Sequence, residues 1–228
     1  MASPVAQSSL LSTSLASATS LILLQLLSRA TTFGLNQALV RLVSPEVFGT
    51  ATIQFELLLS TILFLSREGV RNALLRSSSK EKSTSAPSVT NISLLPILCG
   101  IPVALLASST YLYTSTASVR SQSHFQLGVS LYTIAAIIEL LSEPLHIRAQ
   151  NELRFGTRVK AEGTGVILKS VTTLAVLMGW GPEWALPAFA MGQVMYGMSI
   201  LGTYLGEYGV GTFGSLSPTR CDYLFLAV

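Results

Sequence analysis

The sequence predicts an all-α integral membrane protein with six transmembrane helices, on three observations. Charged residues make up 11% of the chain, against roughly 25% in soluble domains. Hydrophobic residues reach 50% and the mean hydropathy is +0.57. The apolar residues also come in runs about as long as a bilayer is thick, while nine of the 14 Lys and Arg gather in Arg67–Lys82 and Arg148–Lys160. A pI near 9.0 then reads as loop charge facing an anionic leaflet and not as a nucleic-acid surface. Cys99, inside an apolar run, and Cys221 are too few for a disulfide framework and are expected to be free thiols. The first twenty residues are mostly Ser, Ala and Leu without a basic n-region, unlike a cleaved signal or transit peptide. The first span itself is expected to direct insertion.

The spans are expected at Thr19–Leu42, Pro45–Ser66, Ile92–Leu112, Gln126–Leu145, Gly163–Gly179 and Trp184–Leu205. Residues 1–18 form an amino-terminal tail, 19–205 the six-helix lobe and 206–228 a second tail. The link Val43–Pro45 is so short that the first two spans must form a helical hairpin; Ser44 suits an N-cap and Pro45 the first turn. Arg67–Val89 is a longer polar linker rich in Ser, Thr and Lys, with Pro87 before the third span. Counting spans from the amino terminus puts both basic stretches on one side and leaves Arg41 and Arg120 on the other, so the positive-inside rule gives a cytosolic amino terminus. The lone sequon, Asn91-Ile92-Ser93, falls on the cytosolic edge and is expected to carry no glycan.

Four ionisable residues lie deep within the spans: Arg29, Glu56, Glu139 and Lys169. Each costs about 3 kcal/mol at mid-bilayer when left facing lipid. Depth matches them in pairs, Arg29 with Glu56 across the hairpin and Glu139 with Lys169 across the next one. Gln25, Arg29, Thr32 and Asn36 share one helix face, as do Glu56, Ser60, Arg67 and Arg71, and Glu139, Glu143, His146 and Gln150. Two readings stand side by side. The pairs are structural glue that fixes helix register, or the three seams line a hydrated cavity in which basic groups, chiefly Arg29 and Arg67, receive an anionic headgroup. His146 is either a proton relay beside its two glutamates or an interfacial histidine. Gly202-x-x-x-Gly206 and the series Gly192, Gly197 and Gly202 permit close helix contact. No P-loop, metal-ligand spacing, Ser-His-Asp set or dinucleotide fingerprint occurs in the sequence, so neither an enzyme nor a cofactor is expected, and a self-contained ATP-driven pump is disfavoured.

Leu23–Arg76 reads LLQLLSRATTFGLNQALVRLVSPEVFGTATIQFELLLSTILFLSREGVRNALLR. A second block, Ile138-Glu-Leu-Leu-Ser-Glu-Pro-Leu145, is followed by Ala149-Gln150, Arg158-Val-Lys-Ala-Glu162 and Ile167-Leu-Lys-Ser170. In this order the blocks resemble the Rft family of eukaryotic oligosaccharide-lipid translocation proteins, over about Ile22–Leu205. The resemblance implies membership of the multidrug, oligosaccharidyl-lipid and polysaccharide exporter superfamily, whose members are all-helical with two six-helix lobes around a central cavity. By that analogy this chain is one lobe, a fragment of a longer protein, with a half-length protein that dimerises as the alternative. The family pattern picks out Arg29, Asn36, Arg41, Arg67, Glu68, Arg71, Glu143, Lys160 and Lys169.

The resemblance further implies an endoplasmic reticulum protein that moves a dolichyl-diphosphate oligosaccharide of five mannoses and two N-acetylglucosamines to the lumenal leaflet for N-glycosylation. Arg29, Asn36, Arg67 and Lys169 would then face the substrate, with Glu56 and Glu139 as resting partners of the cations. Glu56 enters on depth matching alone. An accessory protein of the glycosylation pathway would share this topology and need only a membrane surface for its partner. A cation-coupled drug exporter fits the fold class but not the two blocks.

Overall fold

The computed structural model describes residues 36–68, 95–151 and 155–209 and, ahead of them, helical positions 19, 22–23, 25–26, 29–30 and 32–34. All regular structure among the described residues is helical. We label the long helices α1 (described positions within 19–42), α2 (Pro45–Glu68), α3 (Leu95–Thr114), α4 (Phe125–Asn151), α5 (Phe155–Trp180) and α6 (Ala185–Tyr208). Five of them, α2 to α6, are long and apolar enough to cross a membrane. The chain is thus a multi-pass membrane protein. The first expected span, Thr19–Leu42, lies partly outside the described residues, and so do Arg71, Asn91 and Cys221.

Several expected ends move outward. Helix α2 continues past Ser66 to Glu68, α4 past Leu145 to Asn151, and α6 past Leu205 to Tyr208. Helix α5 begins eight residues before Gly163, at Phe155. Charged residues in these extensions imitate loops, but they decorate helix ends that leave the apolar layer. Arg158 and Glu162 form an i,i+4 pair at 2.8 Å, and Arg148 lies 4.9 Å over the ring of Tyr208. Ser44 does occupy the extended N-cap position before Pro45, yet its hydroxyl makes no cap bond. The proline at N1 removes one orphan N–H and presets the helical φ, but the N–H groups that a cap would serve, at N2 and N3, gain nothing from Ser44 Oγ.

Within α2 the backbone winds more loosely over Thr50–Phe55 and Phe64–Glu68, both π-helical. Hydroxyls cover carbonyls there: Thr50 donates to Glu46 O at 3.0 Å, Thr52 to Phe48 O at 2.7 Å and Ser66 to Ile62 O at 2.6 Å. Glu56 directly follows the first of these stretches and Arg67 lies within the second, and π-helical turns recur at functional positions.

Helices α4 and α6 form the centre: 56% and 50% of their spans are buried, against 17% of α5 and 22% of α3. Phe55 is fully buried among Tyr111, Phe125 and Tyr132, with centroids 4.9 to 6.2 Å away. Ser108 and Thr133 share a 2.6 Å hydrogen bond that ties α3 to α4. At one end of the bundle His124 stacks on Trp184 at 4.4 Å and Trp180 meets Trp184 at 5.2 Å, joining the start of α4, the end of α5 and the start of α6. The turn there needs Gly181, whose φ is +88°. At the other end His146 Nδ1 lies 3.0 Å from Tyr204 Oη, joining the ends of α4 and α6. Across the α3–α4 connection, the one-turn helix Ala117–Arg120 turns Arg120 back to donate to the carbonyls of Leu112 and Tyr113 at 2.8 and 2.9 Å.

Glycine sets the α5–α6 spacing. A Cβ on Gly192 would stand 2.2 Å from Thr173 Oγ1 and 2.8 Å from the carbonyl oxygen of Lys169. Gly197 plays a milder version of this part against Ile138 on α4. Gly202 and Gly206 have nothing within 4 Å among the described residues, so the G-x-x-x-G spacing does not mark a contact here.

Candidate functional site

Two clefts that combine charged and polar side chains with a larger apolar wall open between the helices. The first, about 700 Å³, lies between α2, α4, α5 and α6 and is lined by Glu56, Ser60, Arg67, Glu68, Glu139, Lys169, Gln193 and Tyr196, with Leu59, Leu63, Phe64 and Val166 as apolar wall. The second, about 710 Å³, lies between α1 and α5 and is lined by Gln25, Arg29, Thr32, Asn36, Glu162 and the apolar Phe33, Val159 and Val166. Val166 borders both.

The expected ion pairs form with exchanged partners. Glu56 pairs with Lys169, whose Nζ donates to Glu56 Oε1, and not with Arg29. Glu139 faces Arg67 at 3.9 Å, and not Lys169. Arg67 stands at the same distance from Glu143. The physical reason is depth. With α5 starting at Phe155, Lys169 sits fourteen residues in, about 21 Å along the helix, which carries it to the middle, level with Glu56. The two extra residues of α2 likewise keep Arg67 within the helix, beside two glutamates that are 7% and 1% exposed. A buried carboxylate needs such a partner.

Gln193 was not among the expected site residues, although it is only 3% exposed and donates to Glu139 Oε1 at 2.8 Å. A single glutamine inside an apolar run was the signal available, by the same rule that singled out the charged residues. Tyr196 and Glu162 also line clefts without having been expected there.

Arg29, Thr32 and Asn36, one predicted face of α1, stand together on the second cleft. Among the described residues Arg29 makes no ion pair, and Glu162, which lines the same cleft, pairs with Arg158. Arg41 and Lys160 are exposed beyond the clefts, and Glu68 is on the rim of the first. His146 turns to Tyr204 while Glu143 turns to Arg67, so the predicted shared face contacts two different helices.

Chemically, the first cleft presents cations already matched by carboxylates, and the second presents an uncompensated guanidinium with amide and hydroxyl neighbours. A family model described as Rft protein matches residues 13–214. The chain belongs to the Rft protein family. It is 36% identical over 213 residues to the Man(5)GlcNAc(2)-PP-dolichol translocation protein RFT1 of Dictyostelium discoideum, covering 91% of this chain and 39% of that protein. The proteins of the same name from Yarrowia lipolytica and Mus musculus are each 33% identical, over 229 and 184 residues, covering 90% and 78% of this chain and 33% and 32% of theirs. The chain thus spans 32% to 39% of the length of these relatives. No solved structure matches it.

Proposed function

We propose that this Rft chain is one lobe of an endoplasmic reticulum protein that moves dolichyl-diphosphate-linked Man(5)GlcNAc(2) from the cytosolic to the lumenal leaflet, supplying N-glycosylation. The observation that carries the reading is the likeness, over 91% of the chain, to a protein named for translocating that glycolipid. The geometry supports it, since clefts that carry charged and polar side chains within a membrane bundle suit a polar headgroup whose lipid tail stays outside. Six helices in this lobe and a second lobe facing it would close a cavity around the headgroup. Arg29 with Asn36 is the anion-facing pair of this lobe, because Arg29 alone of the deep cations is not neutralised among the described residues. Arg67 and Lys169 join it when substrate displaces Glu139 and Glu56. The amino terminus is cytosolic in this reading.

A second reading, a helper of the same step without transport of its own, draws on the first cleft, where the cations are already paired. Depletion of the full-length protein tests the pathway. Build-up of the five-mannose glycolipid with under-glycosylated secreted proteins is expected, and an unchanged profile would sink both readings. Re-expression of Arg29→Gln at normal abundance separates the two, since transport predicts the build-up persists and a helper predicts rescue.

A further inference from the structure

Three glutamates line the first cleft, Glu56, Glu68 and Glu139. Glu56 takes a direct hydrogen bond from Lys169 Nζ. Glu139 is 7% exposed, and the hydrogen bond to its carboxyl group comes from a neutral amide, Gln193 Nε2 at 2.8 Å. Its cation, Arg67, stands 3.9 Å off, beyond hydrogen-bond reach, and equally far from Glu143. Arg67 can therefore leave Glu139 without breaking a hydrogen bond between them. What it takes away is charge compensation, and a carboxylate so deeply buried and uncompensated neutralises by holding a proton.

The neighbouring amide suits that proton. Gln193 is 3% exposed, and its Oε1 is buried without a hydrogen-bond partner among the described residues. A carboxylic acid and a primary amide satisfy each other through paired hydrogen bonds, the amide N–H to one carboxyl oxygen and the acid O–H to the amide oxygen. The acid form of Glu139 carries the donor that Gln193 Oε1 lacks, whereas the ionised form only accepts. The other charged and titratable groups around it are Arg67, Glu56 and Glu68 on α2, Glu143 on α4, Lys169 on α5 and Tyr196 on α6. His146, two turns further along α4, lies against Tyr204, and α3 carries no charged residue.

We propose that Glu139 is a proton-binding site linked to the anionic headgroup: protonated, it pairs with Gln193 and frees Arg67 for the headgroup; ionised, it holds Arg67 back. Proton and anion thus favour each other whichever binds first, and headgroup affinity rises as the pH falls. The inference rests on the anion-facing role of Arg67 given above and adds a proton to what the cleft carries.

The test titrates the full-length protein in lipid nanodiscs with farnesyl-diphosphate-linked N-acetylglucosamine, a diester whose phosphates stay ionised between about pH 6 and about pH 8, where histidines also titrate. The wild type is expected to bind about tenfold tighter at the acid end, an ordinary size for coupled sites. Glu139→Gln is expected to bind with that acid-end affinity at both pH values. Glu143→Gln should keep the wild-type pH dependence, and Arg67→Gln should lose it and bind weakly throughout. If Glu139→Gln does not fold, calorimetry of the wild type in two buffers of different ionisation enthalpy reads the same linkage as proton uptake on binding. Equal wild-type affinity at the two pH values, a pH dependence that survives in Glu139→Gln or vanishes in Glu143→Gln, binding without proton uptake, or no probe binding at either pH would overturn the linkage. An unchanged glycolipid profile in depleted cells beside pH-linked probe binding would sink the glycolipid reading alone, so the two failures are distinguishable.

Discussion

Glu56 and Lys169 meet across the bundle from α2 and α5, and each alone is a charge that low-dielectric surroundings penalise. Neutralising one leaves the other uncompensated, so Lys169→Met or Glu56→Gln is expected to lower the unfolding free energy by about 1–3 kcal/mol, with the double change costing less than the sum. Thermal unfolding of the four proteins in detergent measures the cycle. The exchange Glu56→Lys with Lys169→Glu adds a functional readout. Recovery of both stability and activity marks a structural pair, and recovery of stability alone marks a cation that must stand on α5. That Glu56, Glu139 and Lys169 would need partners was legible in the sequence, because ionisable groups in apolar runs are few and costly. Which partner each takes was not, because pairing depends on depth, and depth depends on helix ends that charged residues disguise. Lys169 was placed one and a half turns into its helix when it lies four turns in.

For the helices themselves, periodicity and run length located every described span, and the errors sit at the ends. Arg158, Lys160 and Glu162 looked like a loop because hydropathy falls there, yet the helix continues as its polar side chains leave the apolar layer. Contacts between helices were less legible. Glycine spacing alone gave Gly202 and Gly206 the same weight as Gly192, and only the last lies at a close crossing. Gly192→Ala should force α6 away from the carbonyl of Lys169, costing about 1–3 kcal/mol by overpacking, and should shift the α5 cation relative to Glu56. Gly202→Ala, with open space around it, should fall within about 0.5 kcal/mol of wild type. Melting temperatures of the two variants decide this; equal effects would mean that α5 and α6 do not cross at Gly192. The π-helical turns of α2 were invisible in the sequence, since no residue type demands them and the hydroxyls that cover their carbonyls, Thr50 and Ser66, are common in any span.

Across the whole molecule, the two ends of the bundle differ in chemistry. Both tryptophans of the chain, Trp180 and Trp184, meet at the end that holds His124. Arg148, Arg158 and Lys160 belong to the opposite end, with His146 and Tyr204. Aromatic residues anchor at either interface, but Lys and Arg in short loops are retained on the cytosolic side. The orientation this predicts puts Ser121, exposed in the α3–α4 connection, in the lumen, and Gly156, at the exposed start of α5, in the cytosol. In a full-length protein without its other cysteines, Gly156→Cys in sealed microsomes should react with a membrane-impermeant maleimide. Ser121→Cys should react only after the membrane is permeabilised. The reverse pattern would invert the bundle and put the open side of Arg29 and the basic helix ends toward the lumen. A glycolipid made on the cytosolic face would then meet the wrong end first, and the proposed direction of transport would fail with the topology.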